Sequence, residues 1–123
     1  MSISDVRAHD GLLTVSRTDE GAFVRVALAG ELDLSNVPTL EATLDGAIRS
    51  GKKVLVDLGR LEFLDSTGLA LIVRMLGRRD AERFSFVPST SRGVRRLFSL
   101  TGLDERIVVD SATHESLPSL PAA

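Results

Sequence analysis

The chain has 123 residues, of which 43% are hydrophobic, and this size and composition are typical of one folded domain. The absence of cysteine excludes disulfide bonds and thiolate chemistry, and a net charge of −2 gives no overall preference for nucleic acid or an anionic membrane. No signal peptide is predicted, and the longest apolar run, Leu69 to Val73, is too short to span a bilayer. We expect one cytoplasmic domain over residues 1–123, with its core at about 10–110 and a short helix or frayed tail at 111–123.

Strand and helix patterns alternate along most of the chain. In chain order the predicted elements are strands at 12–15 and 22–29, a helix that starts near Ser35 or Asn36 and stops at Gly51, a strand at 53–58, a helix at 66–79, a strand at 84–87, a helix at 91–100 and a strand at 106–109. The polar turn at 18–21 indicates an antiparallel hairpin, and the apolar strand at 53–58 is typical of a strand covered on both faces. The order β-β-α-β-α-β-α-β predicts an α/β fold with a mixed, mostly parallel sheet of about five strands and helices packed against it.

Two predicted strands end in polar residues. Gly30-Glu31-Leu32-Asp33 follows the second strand, and Asp65-Ser66-Thr67-Gly68 opens the helix after the third. Functional sites in open α/β sheets lie beyond the carboxyl ends of the strands. If these two strands are neighbours, we expect Asp33, Asp65 and Ser66 to share one surface.

Ser66 has two interpretations. It occupies a position that suits an N-cap, so it can simply start the helix. It can also accept a phosphate there, because a helix N-terminus favours an anion, and beside Asp65 and Asp33 the added charge would repel a partner.

The helix that begins at Ser66 is apolar on more than one side. One stripe is predicted to face the sheet, and its residues are Leu69, Ile72, Val73 and Leu76. Leu71 and Met75 fall off that stripe. Either the next helix covers them or they form a docking patch beside Ser66.

Together these motifs resemble the STAS domain family, named for sulfate transporters and anti-sigma factor antagonists. The resemblance covers about residues 10–110 and rests on Gly30-Glu31-Leu32-Asp33, Asp57-Leu58, Phe63-Leu64-Asp65-Ser66-Thr67-Gly68-Leu69, Val94-Arg95-Arg96-Leu97-Phe98 and Thr101-Gly102-Leu103. The chain departs from the family pattern at Ala70, where similar proteins often have a second glycine.

The resemblance implies a bacterial regulator of transcription, acting in stress response or sporulation, that is not an enzyme and needs no cofactor or metal. The unphosphorylated antagonist would bind an anti-sigma factor serine kinase and free the sigma factor. Phosphorylation would end that binding, and a PP2C-type phosphatase would restore it. Carried over to this chain, Ser66 is the phosphoacceptor and Thr67 its less favoured neighbour.

The resemblance also suggests where the partner binds. Together with the docking patch considered above, the predicted partner-binding residues are Glu31, Asp33, Asp65, Thr67, Gly68, Leu71 and Met75. We expect a monomer or weak dimer that binds neither nucleic acid nor membrane.

Other interpretations have less support in the sequence. A Ser-His-Asp hydrolase would have to use His9 or His114, both near the chain ends, and a Mg²⁺ site would have to join Asp33, Asp57 and Asp65. Two arginine runs have no interleaved aromatic residues and are typical of solvated helix faces: Arg74, Arg78, Arg79 and Arg83, and then Arg92, Arg95 and Arg96. The main alternative is a constitutive scaffold subunit of a transport or stress-signalling complex, with the same fold and with Ser66 serving as a cap.

Overall fold

The structure, a computed structural model, describes the backbone of residues 6–106 and the side chains of residues 7–105. Within this span one sheet has the strand order β1 (Val6–Asp10), β2 (Leu13–Asp19), β3 (Phe23–Leu32), β4 (Lys53–Leu64) and β5 (Phe84–Val87). The helices are α1 (Val37–Arg49), α2 (Ser66–Leu76), α3 (Arg92–Leu100) and α4 (Leu103–Arg106), with a 3-10 turn at Ala81–Arg83. The predicted α/β class and five-stranded mixed sheet are confirmed.

The sheet contains both kinds of pairing. β1, β2 and β3 pair antiparallel, whereas β3, β4 and β5 pair parallel. The β2–β3 hairpin is the one predicted from the polar turn, and Gly21 has a φ of 82° there, which suits glycine. The parallel pairs are joined through α1 and α2, as the alternation of strands and helices predicts.

β1 is a strand that hydrophobic patterning missed. Its sequence, Val6-Arg7-Ala8-His9-Asp10, is mostly polar, and its backbone pairs with β2 at the edge of the described sheet. Edge strands need little apolar alternation. Of the strand predicted at 106–109, Arg106 instead ends α4 and the rest lies outside the described residues, as does the tail at 111–123.

The main core lies between one face of the sheet and the helices. Residues that share this core come from α1, α2 and α3 and from alternate positions of the strands, such as Val24 and Val26. The prediction that the strand at 53–58 is covered on both faces is confirmed, since residues 54–58 of β4 are all buried. On the face opposite the helices, Leu55 packs with Val87 and Phe23.

Gly30 sets the path of the chain beyond β3. Its φ is 102°, and a Cβ there would lie 2.0 Å from the carbonyl oxygen of Leu12. The next residue, Glu31, donates its N–H to that carbonyl oxygen at 2.9 Å, within a register shift between β3 and β4. Glycine at position 30 thus lets β3 run on to Leu32 beside the end of β4.

No helix among residues 6–106 is both long enough and apolar enough to cross a membrane.

Candidate functional site

The two polar strand ends lie side by side, as predicted. Leu32 and Leu64, the last residues of β3 and β4, are paired in the parallel register. The N–H of Asp65 donates to the carbonyl oxygen of Leu32 at 3.1 Å, and the N–H of Leu34 donates to Asp65 Oδ2 at 3.1 Å. The loop that holds Asp33 is therefore joined directly to the start of α2.

The N-cap of α2 is Asp65, so the prediction that Ser66 caps this helix is wrong. Asp65 Oδ1 accepts the N–H groups of Thr67 and Gly68, each at 3.0 Å, and the hydroxyl of Thr67 at 2.5 Å. An Asp and a Ser are about equally good caps, and here the carboxylate reaches both amides. The Thr67 hydroxyl first, and then the backbone donors of Gly68, Leu34 and Thr67, lower the pKa of Asp65 from its usual 3.8.

Ser66 is the first residue of α2 and is exposed. Its hydroxyl makes no hydrogen bond within residues 7–105. Thr67, by contrast, is half-buried and its hydroxyl is held by Asp65. Of the two adjacent hydroxyls, that of Ser66 is the more available to another protein.

The loop after β3 is fixed by Asn36, which is fully buried. Its side chain accepts the N–H of Asp33 at 2.9 Å and donates to the carbonyl oxygen of Glu31 at 3.0 Å. Asp33 Oδ1 in turn accepts the N–H and the hydroxyl of Ser35, at 2.9 Å and 2.6 Å. The sequence indicated Asn36 as a possible helix cap. No side chain caps α1 in the structure, and the Asn36 side chain binds the acidic loop instead.

Leu71 and Met75 do not form a docking patch; that prediction is wrong. They are 3% and 5% exposed and belong to the main core. The reason is Gly68, which lies so close to β3 that a Cβ there would be 2.9 Å from both Cγ and Cδ2 of Leu32. With Gly68 facing inward, α2 turns Val73 outward instead, where it is 41% exposed.

We give the name apolar rim to three large exposed apolar side chains on the segments that adjoin Asp65 and Ser66: Leu34, Phe63 and Val73. They are 70%, 49% and 41% exposed. Leu34 binds Asp65 through its N–H, and Phe63 precedes Asp65 by two residues on β4. Val73 lies seven residues after Ser66, on the same helix face. Periodicity had assigned Val73 to the core, so the rim was missed at that position.

The described residues do not contain a group of three or more His, Asp or Glu side chains able to hold a metal ion. The Mg²⁺ hypothesis fails at Asp57, which is 3% exposed and pairs with Arg25 at 2.6 Å. That pair is remote from the hydrogen-bonded loops of Asp33 and Asp65, since Asp57 lies in the middle of β4 and its carboxylate otherwise accepts the N–H of Gly59.

Comparisons with known proteins place these features in a family. A family model described as "Mlab, STAS domain" matches residues 15–110. The anti-sigma-B factor antagonist of Staphylococcus aureus (strain NCTC 8325 / PS 47) is 33% identical over 105 residues, covering 82% of this chain and 95% of the relative. That of Staphylococcus epidermidis is 32% identical over 103 residues, with the same coverage.

Solved structures show the same fold. An anti-sigma factor antagonist from Mycobacterium paratuberculosis superposes with a TM-score of 0.69 at 27% identity, covering 80% of this chain and 86% of that protein. The anti-sigma factor antagonist SpoIIAA in its unphosphorylated form superposes with a TM-score of 0.64 at 22% identity, covering 87% of this chain and 98% of that one. The chain belongs to the STAS domain family, and anti-sigma factor antagonists are among its relatives.

Proposed function

We propose that this protein is an anti-sigma factor antagonist controlled by phosphorylation of Ser66. Its unphosphorylated form binds an anti-sigma factor serine kinase and so releases the sigma factor. Phosphate on Ser66 ends the binding, and a PP2C-type phosphatase restores it. The observation that carries the proposal is an exposed hydroxyl at the start of α2, with no hydrogen bond among the described residues, directly after Asp65, which binds the loop that holds Asp33.

The position of Ser66 suits a residue that gains and loses a phosphate group while the domain stays folded. The hydroxyl points away from the core and has no structural hydrogen bond among the described residues, so a phosphate displaces nothing there. The N-terminal end of a helix also tolerates an anion. The amides of Thr67 and Gly68 already bind Asp65, so the phosphate would act on a partner more than on this fold.

The acidic neighbours explain why phosphate would weaken binding. Asp65 is held ionised by its hydrogen bonds, and Asp33 lies in the adjoining loop. A phosphate adds about −1.5 to −2 of charge at neutral pH. The same surface would then change from moderately to strongly acidic. The added negative charge would weaken binding of a partner that fits the unphosphorylated surface.

The apolar rim supplies the attractive part of the interface. Leu34, Phe63 and Val73 offer exposed apolar area next to a polar centre, an arrangement typical of protein-binding surfaces. Ala70 is exposed on the same face of α2 as Ser66 and Val73. In place of the glycine common in the family, its methyl group adds a little apolar surface.

The test is phosphorylation of the purified full chain by an anti-sigma factor kinase of the same organism with ATP. Intact mass should increase by one phosphate, and peptide mapping should place it on Ser66. Ser66→Ala should remain unmodified, whereas Thr67→Ala, the matched control one residue away, should be modified like the wild type. An active kinase that leaves the wild type unmodified would favour the constitutive scaffold.

A further inference from the structure

The sheet face opposite the helices forms a groove of about 500 Å³. Along the sheet register its residues fall into rows across the strands. One row runs Arg7, Ser16 and Ala27, and the next runs His9, Thr14 and Ala29. In these two rows β2 and β3 contribute small side chains, so the bottom of the groove lies close to the backbone of the sheet.

Each wall of the groove carries an arginine. Arg7 and His9 stand on β1, and Arg60, paired with Ala29 in the register, stands on β4. Arg7 and Arg60 are exposed, and neither makes an ion pair within residues 7–105. Both guanidinium groups therefore face solvent beside the small side chains of β2 and β3.

The single carboxylate that lines this groove within the described residues is Asp57, and it is neutralised. It is 3% exposed and binds Arg25 through Nη2 at 2.6 Å and Nε at 3.2 Å. Its other oxygen accepts the N–H of Gly59 at 2.8 Å. The groove thus keeps an excess of positive charge on a chain whose net charge is −2.

The spacing of the walls limits what can fill the groove. Neighbouring strands lie about 4.8 Å apart, so β1 and β4, three spacings apart, are separated by roughly 14 Å. An elongated molecule with an anionic group at each end can bind the arginine of each wall at the same time. The Ser16 hydroxyl, which makes no hydrogen bond among the described residues, is available to its polar middle, whereas the Thr14 hydroxyl is hydrogen-bonded to His9 Nδ1 at 3.0 Å.

We propose that this groove is a binding site for a small molecule with two separated phosphate groups. Arginine side chains on both walls would hold the two phosphates, and the floor of small and hydroxyl side chains would accept the body of the molecule. The site is on the sheet face away from the helices, and it does not depend on the proposed role of Ser66.

The test is calorimetric titration of the full chain with two probes, fructose 1,6-bisphosphate and fructose 6-phosphate, at low ionic strength. The wild type should bind the bisphosphate saturably and about tenfold more tightly than the monophosphate, since a second charge-assisted contact is worth about that factor. Arg60→Ala and Arg7→Ala should each abolish this preference, and Arg60→Lys, which keeps the charge, should retain most of it.

Arg95→Ala, an exposed arginine on α3, is the matched control and should bind like the wild type. Thermal unfolding of each variant checks that the domain is intact. We expect unchanged unfolding temperatures, because Arg7 and Arg60 are exposed. The proposal is overturned if the wild type binds neither probe saturably, if it binds both equally, or if Arg60→Ala keeps the preference for the bisphosphate.

Discussion

Asp65 and Ser66 are adjacent residues with separate tasks. Asp65 holds the start of α2 through the amides of Thr67 and Gly68, and it also binds the N–H of Leu34 in the neighbouring loop. Ser66 has no such structural task among the described residues. This division allows Ser66 to be modified while the helix start stays intact.

The division predicts different costs for two substitutions. Ser66→Ala should change the free energy of unfolding by no more than about 0.5 kcal/mol, as is usual for an exposed site away from caps and core. Asp65→Ala should destabilise clearly more, because three backbone N–H groups lose their acceptor. Urea denaturation measures both, and an equal or larger loss for Ser66→Ala would show that Ser66 supports the helix after all.

The lowered pKa of Asp65 predicts a pH dependence. A carboxyl whose pKa is lower in the folded state than its usual 3.8 stabilises the fold above that pH, and the contribution disappears as the pH falls through the folded value. The stability difference between wild type and Asp65→Asn should therefore be constant from about pH 7 to 5 and shrink below about pH 4.

Denaturation of both proteins across that pH range measures the difference. Asp19 and Asp80 also have lowered pKa values, caused first by hydrogen bonds from Lys52 and Arg78, but they are present in both proteins and cancel. A stability difference that grows as the pH falls would contradict the assigned role of the Asp65 carboxylate.

At the scale of elements, the rotation of α2 decides which side chains a partner can reach. Gly68 sits against Leu32, so Leu71, Ile72 and Met75 enter the core and Val73 faces out. The heptad-like apolar pattern fits two rotations of the helix almost equally well. The contact of one glycine with one leucine distinguishes them, and this contact is not visible in the periodicity.

Gly68→Ala tests this contact. Alanine normally stabilises a helix interior relative to glycine by about 1 kcal/mol, but overpacking a filled core costs about 1–3 kcal/mol. We expect a net loss of about 1 kcal/mol in urea denaturation. Gly77→Ala is the control at the other end of α2, because its nearest neighbours lie 3.7 Å from the added Cβ, and it should not destabilise. A Gly68→Ala protein as stable as the wild type would contradict the close packing.

The outward face of α2 gives a prediction about binding. Val73→Asp should weaken binding of the anti-sigma factor kinase about tenfold, as expected for losing a buried apolar side chain at an interface. Its unfolding free energy should be little changed, since Val73 is 41% exposed. Leu100→Asp, at a 74% exposed position on α3, is the control and should bind normally. Loss of binding in the control alone would place the interface elsewhere.

At the scale of the whole molecule, sequence patterns were sufficient for most of the elements and for the neighbouring positions of two polar loops. The run of strands and helices and the carboxyl ends of β3 and β4 brought Asp33, Asp65 and Ser66 together as expected. Hydrophobic patterning did not predict β1, because this strand is mostly polar and its pairing at the sheet edge depends on backbone hydrogen bonds. The cap assignment failed because Asp and Ser suit that position equally, and the choice depends on tertiary geometry.

The residues that stabilise the fold and the exposed reactive or charged groups thus lie in different parts of the molecule. The helices pack on one face of the sheet, the hydroxyl of Ser66 stands at one end of it, and the opposite face carries the cationic groove. Under the proposed function, a change of charge at Ser66 would alter a partner's binding without disturbing the core.

The most direct test is the affinity of the purified anti-sigma factor kinase for the chain before and after phosphorylation of Ser66. We expect tight binding of the unphosphorylated chain and binding at least about tenfold weaker, a difference of roughly 1.4 kcal/mol, once the phosphate is present. Circular dichroism spectra of the two forms should coincide. Equal affinity of the two forms would show that phosphate on Ser66 does not control binding of the kinase.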